Sequence, residues 1–148
     1  MTLVLLRLNV YMLWYPLSSM STRPSVMVVD DEEELANLYR IFLERSGFNS
    51  VSFTDPLSAL DHYSQKHDKY SLVITDWKMP NLDGIQLAKK IREYNDNVNI
   101  LLITAFCTDE SFKEEVYREA LISDVIEKPF KFKELGPRIT ELCMSKVQ

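Results

Sequence analysis

Three carboxylates and a lysine mark the places in this chain where chemistry could be done. Asp30 and Asp31 follow the apolar run Val26-Met27-Val28-Val29, and Asp76 follows Leu72-Val73-Ile74-Thr75. Thr104 closes Ile100-Leu101-Leu102-Ile103, and Lys128 follows Asp124-Val125-Ile126-Glu127. Short apolar, β-rich runs read as buried strands, so each of these polar residues stands at a strand's carboxyl end. Carboxylates about 5 Å apart repel by roughly 3 kcal/mol at an effective dielectric of 20, so such a cluster calls for a cation. Oxygen ligands without His or Cys favour Mg²⁺. A carboxylate nucleophile, a metal, a hydroxyl and an ammonium together describe phosphoryl transfer onto an aspartate.

The elements between these points must bring them to one edge. A strand at 25–29 is followed by a helix over about 32–46, with Leu35, Leu38, Tyr39, Phe42 and Leu43 at helical spacing and Gly47 to stop it. Phe48 to Phe53 is the second strand, and Thr54 or Asp55 caps a helix opened by Pro56 and running to about His67. Strand three is 71–75, with a helix over about 84–94, and strand four is 98–103, with a helix over about 109–120. A short strand at 124–126 and a helix over about 133–144 complete five β-α units. Strands buried as continuous runs and alternating with helices indicate an α/β fold, a parallel sheet covered on both faces. The ligand edge of such a sheet is its carboxyl edge.

Composition narrows the classes further. The 148 residues, 46% hydrophobic and 26% charged, suit one folded domain with a short extension. Net charge is −5, and the extension over 1–24 contributes Arg7 and Arg23 with no acid, leaving 15 basic against 22 acidic residues beyond it. With no basic run, direct nucleic-acid binding is not expected. Cys107 and Cys143 have neither the spacing of a zinc site nor that of a disulfide framework, which suits a reducing cytoplasm.

The apolar stretch from Leu3 to Leu17 is broken by Arg7, Asn9 and Pro16. It falls short of a bilayer span and lacks a signal-peptide pattern, so a membrane role is not expected. Met20 offers an alternative start, which would make residues 1–19 an over-long beginning.

The residues Val28-Val29-Asp30-Asp31-Glu32, Asp76-Trp77-Lys78-Met79-Pro80-Asn81-Leu82-Asp83-Gly84, Thr104-Ala105 and Lys128-Pro129-Phe130, at this spacing, resemble the receiver domain of two-component response regulators. The resemblance runs from residue 25 to about 145, so the expected domain is 25–146. It implies a flavodoxin-like, doubly wound, five-stranded parallel sheet in the order 2-1-3-4-5 with five helices. It implies that Asp76 accepts a phosphoryl group from a phosphohistidine on a sensor histidine kinase or phosphotransfer protein. Asp31 and Asp76 would ligate Mg²⁺ directly and Asp30 largely through water, with the backbone carbonyl of Lys78 completing the protein ligands. Thr104 would donate to a phosphoryl oxygen and Lys128 would form an ion pair. A cis bond before Pro129 is implied as well.

The chain ends soon after the fifth helix, so the expectation is a stand-alone receiver acting through a downstream protein, with a phosphorylation-dependent homodimer as one form of output. Such a protein is not an enzyme beyond catalysing its own phosphorylation and dephosphorylation. Two departures from the family pattern matter. Val125 stands where receivers carry Tyr or Phe, which puts the usual aromatic switch in question and Phe106 forward as its substitute. Leu121 stands where a helix-ending Gly is frequent. Lys78 and Phe106 occupy positions that tune self-dephosphorylation in similar proteins, and neither is a small amide, so a phosphoryl lifetime not at the fast end of the family is expected. The competing readings are a non-phosphorylated receiver-like interaction module and a metal-dependent phosphohydrolase. The second lacks an Asp-x-Asp pair, since Trp77 and Lys78 follow Asp76.

Overall fold

Five parallel strands form the core of the fold, which a computed structural model describes over residues 23–105 and 110–145. The three central strands are apolar and buried, while the two edge strands, Asn49–Phe53 and Asp124–Glu127, are mixed in polarity and partly exposed. The strands are β1 (Ser25–Val29), β2 (Asn49–Phe53), β3 (Leu72–Asp76), β4 (Asn99–Thr104) and β5 (Asp124–Glu127). They join side by side in the order β2-β1-β3-β4-β5. The pairing Val29↔Thr75, Asp76↔Ile103 and Thr104↔Glu127 brings the carboxyl ends of β1, β3, β4 and β5 to one edge. This is the flavodoxin-like arrangement the resemblance implies.

Each connecting helix begins and ends for a local reason. α1 (Glu33–Arg45) has Glu33 and Glu34 in its first turn and Arg45 in its last, complementing the helix dipole. Gly47 follows at φ 95° and lets the chain reverse into β2. α2 (Pro56–Gln65) is capped by Asp55 rather than Thr54, and the Asp55 carboxylate accepts from the amides of Leu57 and Ser58. α3 (Gly84–Arg92) opens on a reciprocal capping box between Asp83 and Gln86. α5 (Phe132–Met144) closes the domain.

The fourth helix departs from a plain α-helix. Among the described residues, α4 is α-helical over Glu110–Glu114 and continues as a π-helical turn over Glu115–Glu119. Its exit turns on Leu121, which takes the left-handed conformation at φ 51°. The Ile122 amide returns to the Val116 carbonyl, and Arg92 Nη2 donates to the Leu121 carbonyl at 2.6 Å. The junction therefore keeps the backbone geometry that a glycine would adopt freely, with a leucine in its place.

Helices cover both faces. Met27, Val29, Val73, Ile100 and Leu102 pack with Tyr63, Leu87, Ile91, Phe112 and Val116 on the α2–α3–α4 side. Val26, Val28, Ile74, Leu101, Ile103 and Ile126 pack with Tyr39, Leu43, Leu135 and Ile139 on the α1–α5 side. Cys143 belongs to this second core, while Cys107, Phe106 and Met20 lie outside the described residues. The two histidines are half-buried. The His62 ring nitrogen hydrogen-bonds the Tyr70 hydroxyl and its ring packs on Phe53, and His67 lies past the end of α2 against Tyr94. Among the described residues, no helix is long and apolar enough to cross a membrane.

Candidate functional site

Asp30 leaves the end of β1 with its amide still bound to the β2 end, donating to the Phe53 carbonyl at 3.0 Å. Its carboxylate turns back and accepts the Glu32 amide at 2.9 Å, fixing the entry to α1. Asp30 is 1% exposed, whereas the next residue, Asp31, is open to solvent. Asp76 is the last residue of β3, and its Oδ1 accepts the Trp77 amide at 3.0 Å. Carboxylate oxygens of Asp30, Asp31 and Asp76 all lie within 4.8 Å of one another.

Crowding and burial act on protonation. Burial above all raises the Asp30 carboxyl to about 6, and the negative charges of Asp76 and Asp31 add to this against the Glu32 amide and Lys128. Burial likewise raises Asp76, opposed first by Lys128. Lys128 Nζ lies 3.5 Å from Asp76 Oδ1. Two acids whose charged forms are disfavoured, facing a third at short range, make a place where a cation lowers the energy. The donors are all hard oxygens, with no His or Cys among them, which suits Mg²⁺ rather than a softer metal.

The remaining sequence-predicted residues converge on this edge to different degrees. Thr104 ends β4 and is 1% exposed, and its carbonyl accepts the Lys128 amide at 2.8 Å. That bond ties the strand end bearing the hydroxyl to the residue bearing the ammonium. The Lys128–Pro129 peptide is cis, as the resemblance implied. Lys78 is exposed on the loop after Asp76, and its Nζ rests 3.7 Å from the centre of the Trp77 ring. Val125 is half-buried on the α4 side of the sheet, so the site contains no aromatic ring at that position.

Two residues matter more than their sequence suggested. A Cβ on Gly84 would stand 2.0 Å from the Asp76 carbonyl oxygen, and the Gly84 amide donates to the Trp77 carbonyl at 2.7 Å. Gly84 thus serves not only as a helix start but as the gap that lets α3 close against the Asp76 backbone. Tyr39 read as one more apolar-face residue of α1. It lies close enough to the acidic cluster that Asp30 and Asp76, after burial, push its hydroxyl further above its ordinary pKa. Its ring stacks on Phe130, just past Lys128-Pro129. Helical spacing announces such a residue as core and conceals what stands beside its hydroxyl.

A doubly wound parallel sheet with an acidic cluster at its carboxyl edge, paired with a lysine from the last strand, defines the class. The comparisons agree with it. The family model described as response regulator receiver domain matches residues 26–140. The alkaline phosphatase synthesis transcriptional regulatory protein PhoP of Bacillus subtilis is 34% identical over 114 residues, 77% of this chain and 46% of that protein. The CpxR homolog of Haemophilus influenzae is also 34% identical over 114 residues, 77% of this chain and 48% of its own length. The chain spans about half the length of these curated relatives. Among solved structures, the receiver domain of the Francisella response regulator 1452 has a TM-score of 0.72 at 29% identity, covering 83% of this chain and 98% of that one. The response regulator TrrA of Thermotoga maritima, solved with Mg²⁺ and BeF, has a TM-score of 0.68 at 27% identity, covering 80% and 98%. The chain belongs to the response regulator receiver domain family.

Proposed function

We propose that this protein is a phosphoacceptor of a two-component phosphorelay, with Asp76 taking the phosphoryl group. The observation that carries the reading is the meeting of Asp30, Asp31 and Asp76 within 4.8 Å, with Lys128 Nζ 3.5 Å from Asp76. A carboxylate oxygen of Asp76 attacks the phosphorus of a phosphohistidine on a sensor kinase or phosphotransfer protein. The new oxygen–phosphorus bond forms as the phosphorus–nitrogen bond breaks, and the imidazole leaves with the electron pair and takes up a proton. Lys128 meets the incoming phosphoryl oxygens, and the Thr104 hydroxyl donates to one of them. Asp31 and Asp76, the Lys78 carbonyl and, through water, Asp30 would hold Mg²⁺. That ion, when bound, supplies positive charge to the transferring group.

Attack by water on the acyl phosphate reverses the modification, so the chain's catalysis is confined to its own phosphorylation state. Output passes to a downstream protein in the cytoplasm, directly or through a phosphorylation-dependent homodimer. The added phosphoryl charge biases the surface of α4, β5 and α5. Val125 on the α4 face favours one competing reading, a receiver-like interaction module that is not phosphorylated.

Intact-mass analysis with acetyl phosphate and Mg²⁺ separates the two. Gain of one phosphoryl group, lost in Asp76→Asn or with chelator, supports the phosphoacceptor. A folded protein that gains none supports the interaction module.

A further inference from the structure

Trp77 touches the acidic cluster with its backbone and the α4 side of the domain with its ring. Its amide donates both to Asp76 Oδ1 at 3.0 Å and to the Ile103 carbonyl at 3.2 Å. Its indole meets the Phe112 ring at 4.6 Å between centroids, tilted by 48°. Phe112 is 7% exposed and belongs to the short α-helical segment of α4. No other ring pair of the described residues joins the phosphoacceptor loop to α4. Val125 packs on the same face, and its small side chain offers no ring to carry a displacement there.

The partner element is built to respond. α4 changes from α to π geometry at Glu115, and π turns concentrate where helices serve a function. Its charged connection to α3 is made by Lys89, which reaches Glu115 at 3.0 Å and Glu119 at 3.3 Å. Those pairs are exposed, and exposed pairs hold weakly. The indole also carries the Lys78 ammonium, 3.7 Å from its centroid, beside a carboxylate whose charge phosphorylation would increase.

We infer that the Trp77–Phe112 contact positions α4 according to the state of Asp76, in place of a swinging aromatic at Val125. The inference rests on Asp76 being the phosphoacceptor. Converting the Asp76 carboxylate to an acyl phosphate alters the acceptor of the Trp77 amide and draws the Lys78 ammonium toward the phosphoryl group. The indole then shifts against Phe112, and a packed contact of this kind moves between discrete arrangements rather than deforming smoothly.

The test uses the full chain with acetyl phosphate and Mg²⁺ and reads two quantities in each sample. Intact mass reports phosphorylation, and amide hydrogen exchange over 110–119 reports α4. The wild type should gain a phosphoryl group and change its α4 exchange by about fivefold, the lower end of a working allosteric coupling. Phe112→Leu should gain the phosphoryl group as fully and lose the exchange response. Trp77→Leu should lose it also, and Trp77→Phe, which keeps a ring, should recover part of it. A phosphorylated Phe112→Leu protein with a wild-type response overturns the inference, as does a phosphorylated wild type whose α4 does not respond. If Phe112→Leu does not fold, the comparison of Trp77→Leu with Trp77→Phe decides the same point. Absence of phosphoryl gain in the wild type overturns the phosphoacceptor reading and the inference with it, and the mass measurement identifies that case separately.

Discussion

Lys128 Nζ stands 3.5 Å from Asp76 Oδ1, and their side chains are only 25% and 13% exposed. The pair joins the ends of β3 and β5 across the whole width of β4, and the Thr104 carbonyl holds the Lys128 amide in register. It is the charge relationship on which the proposed chemistry depends.

Replacing Lys128 with alanine should separate two effects of its charge. Phosphoryl uptake from acetyl phosphate should slow by about 10- to 100-fold, the equivalent of one charge-assisted hydrogen bond. Mg²⁺ binding should tighten instead, because the variant removes a competing cation from beside the carboxylates. The time course of mass gain and a Mg²⁺ titration measure the two. Slower uptake together with weaker Mg²⁺ binding would contradict this division of roles.

Acidity gives a second prediction, with a definite sign. Asp30 has a pKa of about 6 in the fold against 3.8 as the ordinary value. Between those values the native protein keeps a proton that the unfolded chain has lost. The Asp30 contribution to metal-free stability therefore falls as pH rises from about 4 to about 6, by about 2 kcal/mol. Denaturant unfolding in chelator at pH 5 and pH 7 should show wild type gaining stability at the lower pH relative to Asp30→Asn. Mg²⁺ affinity should run the other way and weaken below about pH 6, because ligation needs the deprotonated acid.

Gly84→Ala should damage the site through the backbone. The new Cβ would meet the Asp76 carbonyl oxygen at 2.0 Å, and because the backbone fixes both atoms no side-chain rotation can relieve the contact. A loss of about 3 kcal/mol in denaturant unfolding is expected, at the upper end for overpacking. Variants that fold should also take up phosphoryl more slowly, since Asp76 moves with its carbonyl.

Leu121→Gly should stabilise the domain. Leu121 is 48% exposed, so few apolar contacts are lost, and its φ of 51° costs a leucine what it does not cost a glycine. A gain of about 0.5–1 kcal/mol remains after the greater chain entropy of glycine is subtracted. The Arg92 bond to the Leu121 carbonyl is main-chain directed and survives the change.

Much of this architecture was legible in the residues, because buried parallel strands are short apolar runs and their ends carry polar residues. Asp30, Asp31, Asp76, Thr104 and Lys128 could be placed at one edge from that pattern. The strand order could not, since an apolar run does not say which neighbour it pairs with, and the order came only through the resemblance. Other features depend on contacts far apart in the chain. The need for Gly84 arises from Asp76 on another element, and the tucking of His62 against Tyr70 depends on how the loop after α2 returns. The π turn in α4 gave no signal because Val116 and Ala120 keep an apolar spacing that an α-helix would also show. Leu121 shows the reverse case, in which sequence flagged a missing glycine and the backbone kept the glycine's conformation.

The most direct test of the account is to locate the phosphoryl group. An acyl phosphate on aspartate is reduced by borohydride to homoserine, so peptide sequencing by mass spectrometry after acetyl phosphate, Mg²⁺ and borohydride identifies the acceptor. Homoserine at position 76, absent without Mg²⁺, is the expected result. Homoserine at position 30 or 31 with Asp76 intact, or none in a folded protein, would contradict it.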